Sequence, residues 1–350
     1  MKRKQNNLLG IFRFSIFLTV ILAGVTFWQL SWQGLWLFFV LLILEVTFSF
    51  DNAVVNSRTL ASMSLIWQRI FLTVGIFIAV FAVRFLLPIV IVMLASGLNF
   101  GEVVNMALNN PERYGHVLHN ASPMINAFGG IFLLMIGLSY FVDYNKQIHW
   151  VRGVEPWLAR AGKFENFRAC LILLVMVILY FTVEEKYKAM ILISSVLGTL
   201  LHIGLELFGS LFGSHSSKDI KLKTGWAAFA AFLYLEVLDA SFSFDGVIGA
   251  FAITSSVILI TSGLSAGAIW VRSLTIYLMR SGTLSKYRYL EHGAHWAIVA
   301  LGIMMLFKLF HVELPEWITG SLGLAFIILA IGSSVIEARH SKNTKNLQSS

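Results

Sequence analysis

Cysteine is almost missing from this chain of 350 residues. Cys170 alone excludes an intrachain disulfide and leaves no thiolate cluster for a soft metal. Charge is scarce as well: 13% of residues are Asp, Glu, Lys or Arg, against 57% apolar and 14% aromatic residues. No pair of soluble domains hides that much apolar surface, so the composition belongs to a membrane protein. A small-x-small cleavage site is missing after the first apolar run, from about Leu8 to Trp28. That run therefore reads as a retained first helix rather than a signal peptide, with Trp28 and Trp32 as interface anchors.

What is present is a series of apolar runs. After the first they lie at about 35–56, 68–96, 124–142, 169–183, 188–211, 226–254, 262–280, 292–310 and 317–336, most of them roughly 20 residues long and sufficient to span a bilayer. The sequence predicts an all-α, polytopic membrane bundle of about ten spans, or eight if the hairpin around 169–183 is re-entrant. The net charge of +8 invites a nucleic-acid reading, but the basic residues fill short gaps between apolar runs. The charge therefore reports topology, and no nucleic-acid partner is expected.

With the N-terminus in the cytoplasm, twenty of the 26 Lys and Arg residues fall in inside segments. Only Arg113, Lys186 and Lys188 fall outside, and Arg84, Arg272 and Lys308 lie within spans. This bias predicts both ends in the cytoplasm. The expected organisation is a basic segment and first span (1–34), a first repeat with its connector (35–168), a central hairpin and loop (169–225), a second repeat (226–310), and a last span with its tail (311–350).

One short stretch occurs twice. Glu45-Val46-Thr47-Phe48-Ser49-Phe50-Asp51-Asn52 returns as Asp239-Ala240-Ser241-Phe242-Ser243-Phe244-Asp245-Gly246, and Glu236 stands three residues before Asp239. A carboxylate at the centre of a membrane helix costs about 2.5–3.5 kcal/mol on the insertion scale, so both clusters mark a functional site. The repeat continues: Gly75 stands nine residues before Arg84 and Gly263 nine before Arg272, while Gly137 and Asp143 align with Gly302 and Lys308. These are spans two, three and four of five in each half, and five is odd. The halves must run in opposite senses, the inverted-repeat plan of secondary transporters with a midplane site. That plan predicts that Asp51 and Asp245 lie at similar depth and approach one another.

On an ideal helix Glu45 shares a face with Ser49, Asn52 and Asn56, and Glu236 and Asp239 share one with Ser243, while Asp51 and Asp245 fall off these stripes. Either the helix breaks near the aspartate or the acids face two cavities. Counting Glu206, six acids stand in apolar runs against Arg84, Arg272 and Lys308, so a bound cation, protonated acids, or both balance the charge. Carboxylates with Asn and Ser oxygens suit manganese, magnesium or calcium rather than zinc or copper. The metal set is Glu45, Asp51, Asn52, Glu236, Asp239 and Asp245, with Arg84 and Arg272 as counter-ions. His202 and His295 read as hydrogen-bonded packing residues, Lys308 and Asp143 as span-end residues, and 97–123 as a solvated external connection.

Glu45 followed six residues later by Asp51-Asn52, with Glu236, Asp239 and Asp245 at spacings of three and six, resembles the paired acidic motifs of the TerC family of integral membrane proteins, in an uncharacterised branch. The likeness covers about 35–96 and 226–310. Gly246-Val247-Ile248 stands where that family has Ser-x-Pro, and Phe-Ser-Phe replaces more aliphatic residues. The resemblance implies export of a divalent metal, chiefly manganese, across a bacterial inner membrane, with the cation as substrate rather than tightly bound cofactor. It implies lipid and divalent ions as partners and no enzymatic reaction. Two other readings are an assembly factor for metal loading of other proteins and an intramembrane aspartic protease.

Overall fold

The computed structural model describes residues 8–164, 166–212, 222–312 and 315–348, and among them every regular element is helical. In chain order these are α1 (Leu8–Phe48), α2 (Phe50–Ala61), α3 (Leu65–Phe77), a π-helical segment (Ile78–Leu86), α4 (Leu87–Ser96), α5 (Phe100–Asn109), α6 (Pro111–Asn120), α7 (Ser122–Phe141), α8 (Val154–Ala161), α9 (Phe167–Thr182), a 3-10 turn (Glu185–Tyr187), α10 (Lys188–Phe212), α11 (Gly225–Ile253), α12 (Val257–Ser281), α13 (Thr283–Lys286), α14 (Leu290–Lys308) and α15 (Glu316–Gln348). Eight of the helical stretches among the described residues are long and apolar enough to cross a membrane, and α9 is a shorter apolar helix. The chain is a multi-pass, all-α membrane protein.

The first of these stretches is two passes. Ser31 interrupts α1 with φ 56 and ψ −156, a left-handed backbone that a non-glycine residue adopts only in a turn or under strain. On the early side, Ser15 Oγ meets Ser273 Oγ at 2.7 Å and Thr19 Oγ1 accepts from Trp270 Nε1 at 2.9 Å, so the chain runs antiparallel to α12. On the late side, the open positions at Gly263 and Gly267 receive Phe38–Leu41 and Leu42–Glu45, so the chain runs parallel to α12. The chain reverses at Ser31, with Trp28 and Trp32 exposed beside the bend, as interface anchors are. Dividing α1 there and adding α9 gives ten apolar helical segments, the number of spans expected from the sequence.

The segment 97–123 is not an open connection. Asn99 and Glu102 form a reciprocal capping box that starts α5, and Asn110 caps α6 with Pro111 in its first turn, signals that favour a helix start. Val103, Met106, Tyr114 and Leu118 from these helices join a buried cluster with Phe38, Leu41 and Leu264.

Two compact units divide the chain. The first is Met1–Ile125 with Leu205–Ser281, and the second is Asn126–Gly204 with Gly282–Ser350. The division cuts across the sequence halves. Both motif copies and both second spans fall in the first unit, while both third spans, α7 and α14, fall in the second. There the aligned glycines seat those two helices against each other: Gly137 against Val299, and Gly302 within 3.0 Å, at the Cβ it lacks, of the Gly130 carbonyl oxygen. Small residues that let backbones approach are the usual basis of helix packing in lipid.

Candidate functional site

The two motif copies lie side by side in the first unit. Asn52 Nδ2 donates to Asp239 Oδ1 at 3.0 Å, and a Cβ added at Gly246 would lie 3.3 Å from Glu45 Oε2. Position 45 thus faces 246 and position 52 faces 239, so the two copies run antiparallel. In the sequence repeat Glu45 corresponds to Asp239 and Asn52 to Gly246, so the two contacts are mates under a pseudo-two-fold through the Phe-Ser-Phe segments. This register places positions 51 and 245 about five residues apart along the pair, roughly 7–8 Å at the helical rise. The Asp245 side chain lies outside the described residues.

The copies differ in backbone. In the first, the helix breaks at Ser49 (φ −102, ψ 15), and Asp51 falls in the first turn of α2, where Asn52 N–H donates to Asp51 Oδ1 at 2.9 Å. A carboxylate there is favoured by the open N–H groups and the helix dipole. In the second, α11 runs from Gly225 to Ile253 without an assigned break.

Two arginines from the second spans cross-link the acids. Arg84 pairs with Glu45 through Nη2, and its Nη1 stands 3.7 Å from Asp239 Oδ2. Arg272 makes a two-pronged contact with Glu236 at 3.0 and 2.8 Å, and its Nη2 stands 3.5 Å from Asp239 Oδ2. Asp239 is therefore shared by both guanidiniums, and all five groups are buried. The backbone around Arg84 is locally widened. Pro88 has no N–H for the Arg84 carbonyl four residues earlier, and the preceding Ile78–Leu86 segment is π-helical, with Arg84 Nη1 donating to Ala79 O at 2.9 Å. A proline that strips a helix of one bond is a recognised cause of such distortion, and π segments gather at functional sites.

Around this network several acceptors stand without a partner. Asn52 Oδ1, Asn56 Oδ1 and Ser243 Oγ are buried and make no hydrogen bond. Asn52 and Asn56 are one turn apart on α2, hence on one face. An orphaned buried acceptor costs about 1–3 kcal/mol, so unpartnered oxygens on both motif helices suit a ligand that accepts lone pairs. Among the described residues no three His, Cys, Asp or Glu side chains form a group able to hold a metal; Glu45, Glu236 and Asp239 are engaged by the arginines instead.

Other sequence candidates stand elsewhere. Glu206 is exposed on α10. His202 Nε2 lies 3.0 Å from Ser139 Oγ, and His295 Nδ1 lies 2.8 Å from Glu291 O with its ring stacked on Tyr140. Gly75 has a positional role beyond marking the repeat, because a Cβ there would come within 2.6 Å of Glu236 Oε1 and closer still to Arg272.

The second unit holds a polar cluster that sequence reading did not single out. Glu155 on α8 is 1% exposed. Its Oε2 accepts from Trp150 N–H at 2.7 Å and lies 2.8 Å from His292 Nδ1, while Oε1 accepts from Trp296 Nε1 at 2.8 Å. Burial pushes the Glu155 carboxyl up, but hydrogen bonds from His292, Trp296 and the Trp150 N–H outweigh it and hold the group below its ordinary range. The signal was one acid among three in a basic connector, ordinarily a solvated charge.

A protein-family model described as Protein of unknown function (DUF475) matches residues 50–341. No curated protein and no solved structure matches the chain.

Proposed function

The chain belongs to the DUF475 family of proteins of unknown function, and from that footing we propose that it moves a divalent cation, manganese before calcium or magnesium, through the first unit's motif cluster. The observation that carries this reading is the antiparallel meeting of two acidic motifs, with Asn52 bonded to Asp239 and unpartnered buried oxygens on both helices, Asn52 Oδ1, Asn56 Oδ1 and Ser243 Oγ. These are hard oxygen donors, the kind that binds such ions. Formal charge supports it: the motif copies and Glu236 carry more acids than Arg84 and Arg272 can neutralise.

In this reading the arginines stand in for the cation. They neutralise Glu45, Asp239 and Glu236 while the site is empty, and a cation entering at Asp51 and Asn52 competes for the shared Asp239. The inverted register fits a transporter, where related halves meet around a midplane site. Choice of manganese, the outward direction and the bacterial inner membrane rest on the TerC resemblance, and cytoplasmic termini rest on the basic-residue bias. The test is the metal content of cells lacking the protein, across a panel of divalent ions. A rise in manganese that re-expression reverses is expected, and unchanged levels of every ion would overturn the proposal.

A further inference from the structure

The connector between α7 and α9 presents a largely exposed face, on which Trp157 meets Phe167 edge-on and Lys163 stands over the Tyr144 ring. On its inner side Leu158, Ala159 and Ala161 are buried and Glu155 is tied down by His292, Trp296 and the Trp150 N–H. Gly162 is pressed against the chain so closely that an added Cβ would lie 2.6 Å from the Val142 carbonyl oxygen. The helix is thus fixed in rotation as well as position. Its outer side carries Val154, Trp157 and Phe164, the last 72% exposed, interleaved with exposed Arg152, Arg160 and Lys163.

We propose that this face is a binding surface for anionic phospholipid headgroups, with Trp157 and Phe164 seated at the headgroup level and Arg152, Arg160 and Lys163 drawing acidic lipid to it. Two observations carry the choice of occupant. The first is continuity: the connector leaves α7 at Phe141 and re-enters an apolar helix, α9, at Phe167, so Phe164 stands three residues from that helix and cannot lie far from the bilayer surface. The second is charge. The buried Glu155 is spent on internal hydrogen bonds, which leaves Lys146, Arg152, Arg160 and Lys163 against Asp143 and Glu165 in the connector's sequence, a basic excess. A helix with a packed inner side, aromatic outer residues and flanking Arg and Lys is the pattern of an element lying in the interface plane. Each basic residue near an anionic surface contributes about fivefold in affinity.

The experiment uses the full chain with Cys170→Ser and a single spin label at Phe164→Cys, in nanodiscs of phosphatidylcholine alone or with phosphatidylglycerol. The label is expected to be shielded from a water-soluble relaxant and reached by oxygen. Lipid carried through purification from the mixed bilayer is expected to be enriched in phosphatidylglycerol, and Arg152→Gln/Arg160→Gln/Lys163→Gln, all at exposed positions, is expected to lose that enrichment by tenfold or more. Retained enrichment in the presence of millimolar inorganic phosphate assigns the preference to lipid rather than to free phosphate, and its loss would overturn the choice of ligand. A label open to the water-soluble relaxant, or the same lipid ratio for wild type and triple variant, would overturn the proposal.

Discussion

Asn52 donates to Asp239 at 3.0 Å across the two copies of the acidic motif, and the mate of this contact under the repeat is the approach of Gly246 to Glu45. One bond thus sets the register of both copies. Asn52→Ala is expected to lower stability by about 1–3 kcal/mol, because Asp239 Oδ1 loses a donor while buried. Gly246→Ala, whose Cβ would stand 3.3 Å from Glu45 Oε2, is expected to be mild, and Gly246→Leu severe. Thermal unfolding in detergent distinguishes the three, and a harmless Gly246→Leu would refute the register.

Arg84 and Glu45 form a buried pair, and removing one partner strands the other. Arg84→Gln is expected to cost about 3–5 kcal/mol, seen as loss of folded protein on size-exclusion chromatography. Glu45→Gln in the same chain is expected to restore part of it, since the stranded carboxylate is then gone. A double variant no better than Arg84→Gln would show that Arg84 acts through Asp239 alone.

Much of this site was legible in the sequence. The repeated Glu–Asp spacing, the arginines nine residues beyond paired glycines, and the aligned Gly137 and Gly302 each mark positions the structure uses. The stripe of Glu45, Ser49, Asn52 and Asn56 is visible as well, with Ser49 Oγ donating to Glu45 Oε1 at 3.2 Å. What a helical period cannot state is the partner. Nothing in the spacing says that Asp239 serves two arginines, or that the chain breaks at Ser49 but not in α11. The connector's Glu155 was hidden for a different reason: its partners His292 and Trp296 lie more than a hundred residues away, and an acid in a charged connector looks solvated.

Gly75 supplies space for a pair made by other residues. Gly75→Ala is expected to displace the Arg272–Glu236 contact, since the added carbon would fall within 2.6 Å of Glu236 Oε1. Small-to-large changes at such close approaches cost about 1–3 kcal/mol or more. The check is yield and unfolding temperature of Gly75→Ala beside Gly204→Ala, where nothing stands within 4 Å and no loss is expected.

Glu155 gives the protein a pH dependence of definite sign. Its carboxyl is held below the ordinary 4.5 by His292, Trp296 and the Trp150 N–H against the effect of burial. A depressed carboxyl adds stability that is fully present above the unfolded-state value and fades as pH falls through the folded value. Wild type is therefore expected to lose stability as pH drops below about 4.5, and Glu155→Gln to be weaker at neutral pH and flatter in that acidic window. Equal slopes for the two proteins would contradict the role given to this group.

Asp51 is the acid that no described arginine engages, and the proposed cation path runs past it. Asp51→Asn keeps shape and polarity and removes one negative charge. The most direct measurement is manganese flux into sealed proteoliposomes holding wild type, Asp51→Asn or Asp245→Asn, at equal reconstituted amounts. Saturable flux in wild type that falls at least tenfold in both variants, with unchanged elution and unfolding profiles, is the predicted result. Undiminished flux in the Asp51→Asn/Asp245→Asn double variant, or no flux of any divalent ion in wild type, would contradict it.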